Sequence, residues 1–329
     1  ECIFMKDNLF NCIVNFCSEK YEAYGASCGY SGNCKNNYGC NHPEGKCSNV
    51  DKKRSCEYCL NQVHFGKKNQ KEGKEQGERY DCPKLINYYV CRYSYGYMSE
   101  LYTILKKTYV KSFLVKFNSY DIISLGCGAC PDLVAFELLN NEENIGKNIR
   151  YTGVDNNKYW IEVKDRIEYY VTGNQATIKS FDYYNDDVYR FFDEYTGEYN
   201  IVCINYLISS LYNTDQIKRT DNEKVRELAG KIVNGFIKNT RNKQMLIIIN
   251  DTNNDEYANN YTIFDGFISI FSKTKELKYV TYNNLFDKNS KSVEHPFKFP
   301  DKLDGFQPKK GRILNNFSLQ LILEVTKIS

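Results

Sequence analysis

No apolar run in this 329-residue chain is long enough to cross a membrane, and no pattern of charged, apolar and small residues marks a signal peptide. From these patterns we expect a protein that stays off membranes. There is no G-x-x-x-x-G-K-[ST] loop either, which excludes the P-loop mode of gripping nucleoside triphosphates. Histidine is scarce, at three residues, so imidazole chemistry has few places to reside. His295, in Glu294-His295-Pro296-Phe297, is a candidate base, although a solitary loop histidine more often has no chemical role. Residues 1–80 show no sustained apolar periodicity and are rich in Gly, Asn and Lys. Hydrophobic burial alone would hold that segment together poorly.

What the segment does have is cysteine. Of the 14 Cys, 11 fall before residue 92, and six of them (Cys28, Cys34, Cys40, Cys47, Cys56, Cys59) lie within 32 residues. Dense cysteines in a secreted module form disulfides, whereas in the cytosol they stay reduced and more often bind metal. Cys56-Glu57-Tyr58-Cys59 has the C-x₂-C spacing by which two thiolates from one turn reach the same tetrahedral ion. The other spacings are irregular and leave the grouping open. Zinc is the favoured reading, with Cys28, Cys34, Cys40, His42, Cys47, Cys56, Cys59 and Cys82 as candidate ligands; an iron–sulfur cluster and disulfides are the alternatives. A structural metal would supply folding free energy where a core is missing. Residues 1–119 carry 18 Lys+Arg against 12 Asp+Glu, a net of +6, while the remainder has a net of −3. A basic, Tyr-rich module suits phosphate contacts and base stacking. Residues 66–79 are polar and low in complexity, and read as a loop.

The most informative stretch is Asp121-Ile122-Ile123-Ser124-Leu125-Gly126-Cys127-Gly128-Ala129-Cys130-Pro131-Asp132. An apolar strand stops on two glycines and turns at once into a helical pattern (Leu133, Phe136, Leu138, Leu139). Glycines let the backbone approach a ligand closely, and the helix start aims free N–H groups at it. Tyr151-Thr152-Gly153-Val154-Asp155 then reads as a second strand ending on a carboxylate, placed to accept from a ribose diol. A dinucleotide turn would need glycine where Pro131 stands. With Leu125-Gly126-Cys127-Gly128-Ala129 as a first motif and Asp155 as an acidic second one, residues 119–329 resemble the class I S-adenosylmethionine (SAM)-dependent methyltransferases. Ser124 occupies a position that is usually acidic in that family, and Cys130 replaces the third glycine.

The rest of the chain fits the resemblance. Ala176 to Asp182 reads as a third strand, Tyr199 to Tyr206 as a fourth and Met245 to Asp251 as a fifth with the apolar run of a central parallel strand. Lys224 to Asn239 has helical spacing, and Leu277–Thr281 with Phe317–Val325 would close the sheet as an antiparallel pair. The expected fold is α/β: a doubly wound, mostly parallel seven-stranded sheet of the class I methyltransferase type, preceded by a small Cys-rich, metal-stabilised domain. The expected domains are a zinc-binding region at 1–82, a helical connector at 83–118 whose stripe leans on the sheet, and a methyltransferase domain at 119–329.

The resemblance implies a cytoplasmic protein with SAM as cofactor, held by Ser124, Gly126, Cys127, Gly128, Asp155, Asn156, Asp182, Tyr183 and Asn205. Amino-group methyltransferases of nucleic acids carry Asp/Asn-Pro-Pro-Tyr/Phe after the fourth strand. Here that place reads Asn205-Tyr206-Leu207-Ile208-Ser209-Ser210, which disfavours exocyclic amine chemistry by that route. The Pro-Cys nucleophile of cytosine-C5 enzymes is also missing, since Cys203 lies within a strand. Asn205 and Tyr206 are the candidates for orienting the acceptor. The favoured acceptor is nucleic acid, RNA more than DNA, gripped by the basic zinc domain. The alternatives are a small-molecule or protein methyltransferase with the Cys-rich domain as a lid, and a non-catalytic SAM-binding scaffold.

Overall fold

The computed structural model describes residues 8–23, 83–174, 177–209, 223–252, 262–286 and 318–328. The expected metal ligands Cys28, Cys34, Cys40, His42, Cys47, Cys56, Cys59 and Cys82, and also His295, lie outside the described residues. Those residues divide into two units: 8–23, 83–95 and 157–167 form the smaller, and the rest form the larger.

In the smaller unit, helix α1 (Leu9–Ala23) opens on Asn8, whose side-chain Oδ1 accepts from the Asn11 N–H at 2.9 Å. It buries Leu9, Phe10, Cys12, Ile13, Val14 and Cys17. Helix α2 (Pro83–Lys106) contributes Leu85, Ile86, Val90 and Cys91 from its first half. The Cys91 thiol lies 4.0 Å from the Val14 carbonyl. Burial pushes that thiol up to about 12, and it lifts Cys17 well above the ordinary thiol range. Cys12, Cys17 and Cys91 are thus buried in the core of this unit. Among the described residues, no group of three or more His, Cys, Asp or Glu is placed to hold a metal ion. Nor is any described helix long and apolar enough to cross a membrane.

The larger unit begins within α2, at Gly96. The helical connector is expected to run through 118, but Lys107 takes an extended conformation (φ −56°, ψ 131°) and α3 (Thr108–Leu114) starts afresh. Strand β1 (Ser119–Leu125) leads through the glycine turn into α4 (Pro131–Glu142). Proline at the helix start costs no hydrogen bond, because its missing N–H would have no intrahelical partner there. Then follow β2 (Asn148–Val154), α5 (Ile161–Gly173), β3 (Ile178–Tyr184), α6 (Val188–Glu194), β4 (Ile201–Asn205), α7 (Glu223–Asn239), β5 (Gln244–Thr252), α8 (Thr262–Lys273), β6 (Leu277–Phe286) and β7 (Ser318–Lys327).

The seven strands form one sheet in the order β3-β2-β1-β4-β5-β7-β6. The five strands from β3 to β5 in that order are parallel, and β7 pairs antiparallel with both β5 and β6. The doubly wound, mostly parallel sheet expected from the alternation of strands and helices is thus present, with its antiparallel pair at one edge. One face packs Val202, Ile204, Ile247, Ile249, Leu321 and Leu323 against the apolar side of α7 (Val225, Leu228, Ile232, Phe236). The strand order reverses between β1 and β4. A crevice outside the carboxyl ends of the strands opens at such a switch point, because the connecting chains leave in opposite directions.

Candidate cofactor and acceptor site

The glycine turn sits at that switch point. Gly126 and Gly128 both have left-handed backbones, with φ of +64° and +47°. A Cβ on Gly126 would meet Leu207 at 3.2 Å as well as being strained. The Gly126 and Cys127 N–H groups both donate to the Val154 carbonyl, at 2.8 and 3.2 Å, which binds the turn to the end of β2. The Gly128 N–H donates to Asp155 Oδ2 at 3.0 Å. The acid of the second expected motif is thus tied to the glycines of the first across 27 residues of sequence.

Cys130, which stands where the family carries a third glycine, keeps the glycine-like conformation at φ +54° and precedes α4 directly. Cys127 and Cys130 are both buried, and burial holds the Cys127 thiol well above its usual range. Gly153 makes room for this turn, since a Cβ there would stand 2.9 Å from the Cys127 sulfur. Ser124 is fully buried, in register with Gly153 on one side and Cys203 on the other. A buried carboxylic acid lies close by: Asp132, in the first turn of α4, accepts from Tyr151 Oη at 2.9 Å, and burial raises its pKa.

The residues expected at the end of β3 are spread along it. Sequence reading ends that strand at Asp182, but the β-favouring Tyr183 and Tyr184 carry it two residues further. Asp182 pairs with Thr152 within the strand and is exposed; Tyr183 pairs with Gly153. Beyond the strand, Asp186 bonds Arg190 Nε at 2.7 Å, and Asp187 caps α6 by accepting from the Tyr189 N–H at 2.9 Å. Asn156 follows Asp155 on the surface.

On the other side of the switch point, β4 ends at Asn205. The residue is 7% exposed, yet neither Oδ1 nor Nδ2 has a hydrogen-bond partner among the described residues. A buried amide left unsatisfied costs about 1–3 kcal/mol, so an orphan of this kind asks for a ligand. Tyr206 follows with a left-handed backbone at φ +53°, which is unfavourable for a large side chain. Contacts from the surrounding elements hold it there. Its N–H donates to the Asn250 carbonyl at 2.8 Å, its ring packs on Tyr97 with centroids 4.4 Å apart, and its hydroxyl donates to Glu100 Oε2 at 2.6 Å.

Sequence reasoning missed Glu100 and the polar row it caps. Asn205, Asn250, Gln320 and Asn284 stand side by side in register across β4, β5, β7 and β6. Gln320 Nε2 donates to Asn250 Oδ1 at 3.1 Å and to Ser318 Oγ at 2.8 Å, and Asn250 Nδ2 donates to Glu100 Oε2 at 3.0 Å. Burial drives the Glu100 carboxyl up to about 7, against the opposing pull of Tyr206, Asn250 and Ser318. One signal was available: Glu100 is the sole acid in the 24 residues of α2, set within its apolar stripe.

No family model matches the chain, and no curated protein does. Solved structures that resemble it include the plantazolicin methyltransferase BamL (11% identity over 73% of this chain and 88% of that one, TM-score 0.40). Another is a putative O-methyltransferase from Klebsiella pneumoniae (8% identity over 83% and 90%, TM-score 0.37). A third is the small RNA methyltransferase HEN1 (12% identity over 69% of this chain and 25% of that one, TM-score 0.40). Similarity at this level carries no inference about cofactor or substrate, which has to come from the chain's own residues.

Proposed function

We propose that this chain is a SAM-dependent methyltransferase whose cofactor lies across the switch point between β1 and β4. The observation that carries the reading is one juxtaposition: the Gly126–Gly128 turn tied to Asp155 on one side, and on the other the buried Asn205 amide, unsatisfied among the described residues. The N–H groups of Gly126, Cys127, Gly128 and Cys130 have partners of their own, so what the turn would offer the polar end of the cofactor is a close approach to the backbone. Asp155 would accept from the ribose hydroxyls, with Asn156 and Tyr183 beside it. Ser124, Cys127 and Asp182 remain candidates for this set. The Asn205 amide, which offers both a donor and an acceptor, would orient the ligand at the transfer end. SAM supplies an electrophilic methyl group on a sulfonium. The contribution of Asn205 and Tyr206 is to hold the acceptor in line and close to it, the term that positioning can supply most fully in such a displacement.

The proposed acceptor is a nucleic acid, RNA before DNA. The support is the charge split, +6 over residues 1–119 against −3 over the rest, because sequence-independent affinity for polyphosphate grows with the cations supplied. We further propose that Cys28, Cys34, Cys40, His42, Cys47, Cys56, Cys59 and Cys82 hold zinc in the N-terminal region. The test of the whole reading is incubation with methyl-labelled SAM and separate RNA, DNA, protein and metabolite fractions. Label is expected in RNA. Label only in metabolites or protein would remove the acceptor assignment and leave the cofactor assignment standing.

A further inference from the structure

We propose that Glu100 is a positioning residue for the ligand site: through Tyr206, it holds the Asn205 amide in the form that receives the ligand. This rests on the reading of the crevice as a SAM site. Asn205 and Tyr206 are consecutive, so the orientation of the Asn205 side chain depends on the backbone of the turn that Tyr206 enters. That turn is strained at φ +53° in a residue with a large side chain. A conformation of this kind persists only where its surroundings over-determine it, and such residues gather at functional sites. Here the surroundings include the Asn250 carbonyl, the Tyr97 ring and the Glu100 carboxylate. Of the three, only Glu100 changes its hydrogen-bonding character with pH.

As a carboxylate, Glu100 is an acceptor only, and its neighbours Tyr206 Oη and Asn250 Nδ2 both donate to it, at 2.6 and 3.0 Å. Protonation places a donor among these donors and weakens both bonds. The groups that bear on Glu100 can be named element by element. From the end of β4 comes the Tyr206 phenol, which burial and then Glu100 and Asp251 hold far above its ordinary range, so it stays protonated. From β5 come Asn250 and the Asp251 carboxylate, the latter accepting from the Ser209 N–H at 3.0 Å. From β7 come Ser318 and Gln320, both uncharged. Glu100 itself titrates near pH 7. The ionised form is therefore the one that holds the turn, and ligand affinity should rise with pH through neutrality.

The probe is S-adenosylhomocysteine, titrated calorimetrically into the full chain at pH 6 and pH 8. Wild type is expected to bind at least threefold more tightly at pH 8. Glu100→Gln should bind equally at the two pH values and at least threefold more weakly than wild type at pH 8. Tyr206→Phe should do the same, and the double variant should be no weaker than the worse single one. Asp155→Ala should lose affinity yet keep the wild-type ratio between the two pH values. A Glu100→Gln protein that keeps that ratio, or that matches wild type at pH 8, overturns the proposal. If wild type bound neither this compound nor SAM, the cofactor reading would fall instead. The link from Glu100 to Tyr206 would then be judged by thermal unfolding at pH 8. The melting-temperature change caused by Tyr206→Phe should fall to less than half in the Glu100→Gln background, and an equal change in both backgrounds overturns the link.

Discussion

Gly126 shows how much one residue's backbone decides in this molecule. At φ +64°, with Leu207 3.2 Å from where a Cβ would stand, no other residue fits without strain. Gly126→Ala should cost about 1–2 kcal/mol from the left-handed backbone alone, read as a drop in the denaturant midpoint at unchanged slope. Asp155 is the polar counterpart. Asp155→Ala removes the acceptor of the Gly128 N–H and the proposed partner of the ribose, and should weaken SAM binding at least tenfold by calorimetry. Glu100 allows a prediction about stability with a definite sign. Its folded pKa, about 7, lies above its ordinary value of 4.5. The stability it contributes is therefore complete below about pH 4.5 and is lost as pH rises through 7. Glu100→Gln should gain on wild type between pH 5 and pH 8 by on the order of 3 kcal/mol. A constant difference between the two proteins across that range would contradict the assignment. The same carboxylate that burdens the fold at pH 8 is the form that holds Tyr206.

At the scale of elements, legibility followed the range of the interactions. Strands β1, β4 and β5 were legible because a strand covered on both faces is an apolar run, and Gly126, Gly128 and Asp155 because ligand-side turns need those residue types. The end of β3 was not, since Tyr183 and Tyr184 suit a strand as well as they suit the turn after Asp182. The break at Lys107 was also invisible, with neither Gly nor Pro to mark it in Ile104-Leu105-Lys106-Lys107-Thr108. Glu100 was marked locally by nothing more than being the sole acid of α2, because its partners are 106 and 150 residues away in sequence. Helix α7 was fully legible from its spacing, and it packs as that spacing implies. Leu228, wholly buried on its sheet-facing side, should cost about 2–5 kcal/mol when truncated to alanine. The check is equilibrium urea unfolding.

At the scale of the whole molecule, the chain joins a region rich in cysteine and positive charge to a sheet domain of net negative charge. If zinc holds the first, elemental analysis of protein purified without chelator should find at least two zinc ions per chain; iron in their place would overturn the assignment. If that region grips RNA, affinity should fall steeply between low and physiological salt, because each phosphate contact releases counterions. The central claim is that the crevice between β1 and β4 serves methyl transfer from SAM. Its most direct test is to incubate the intact protein with methyl-labelled SAM and separated cellular fractions, alongside Asp155→Ala. The account predicts label in a macromolecular fraction, RNA first, and at least a tenfold loss with the variant at limiting SAM. No transfer to any fraction, or equal transfer by both proteins, would contradict it.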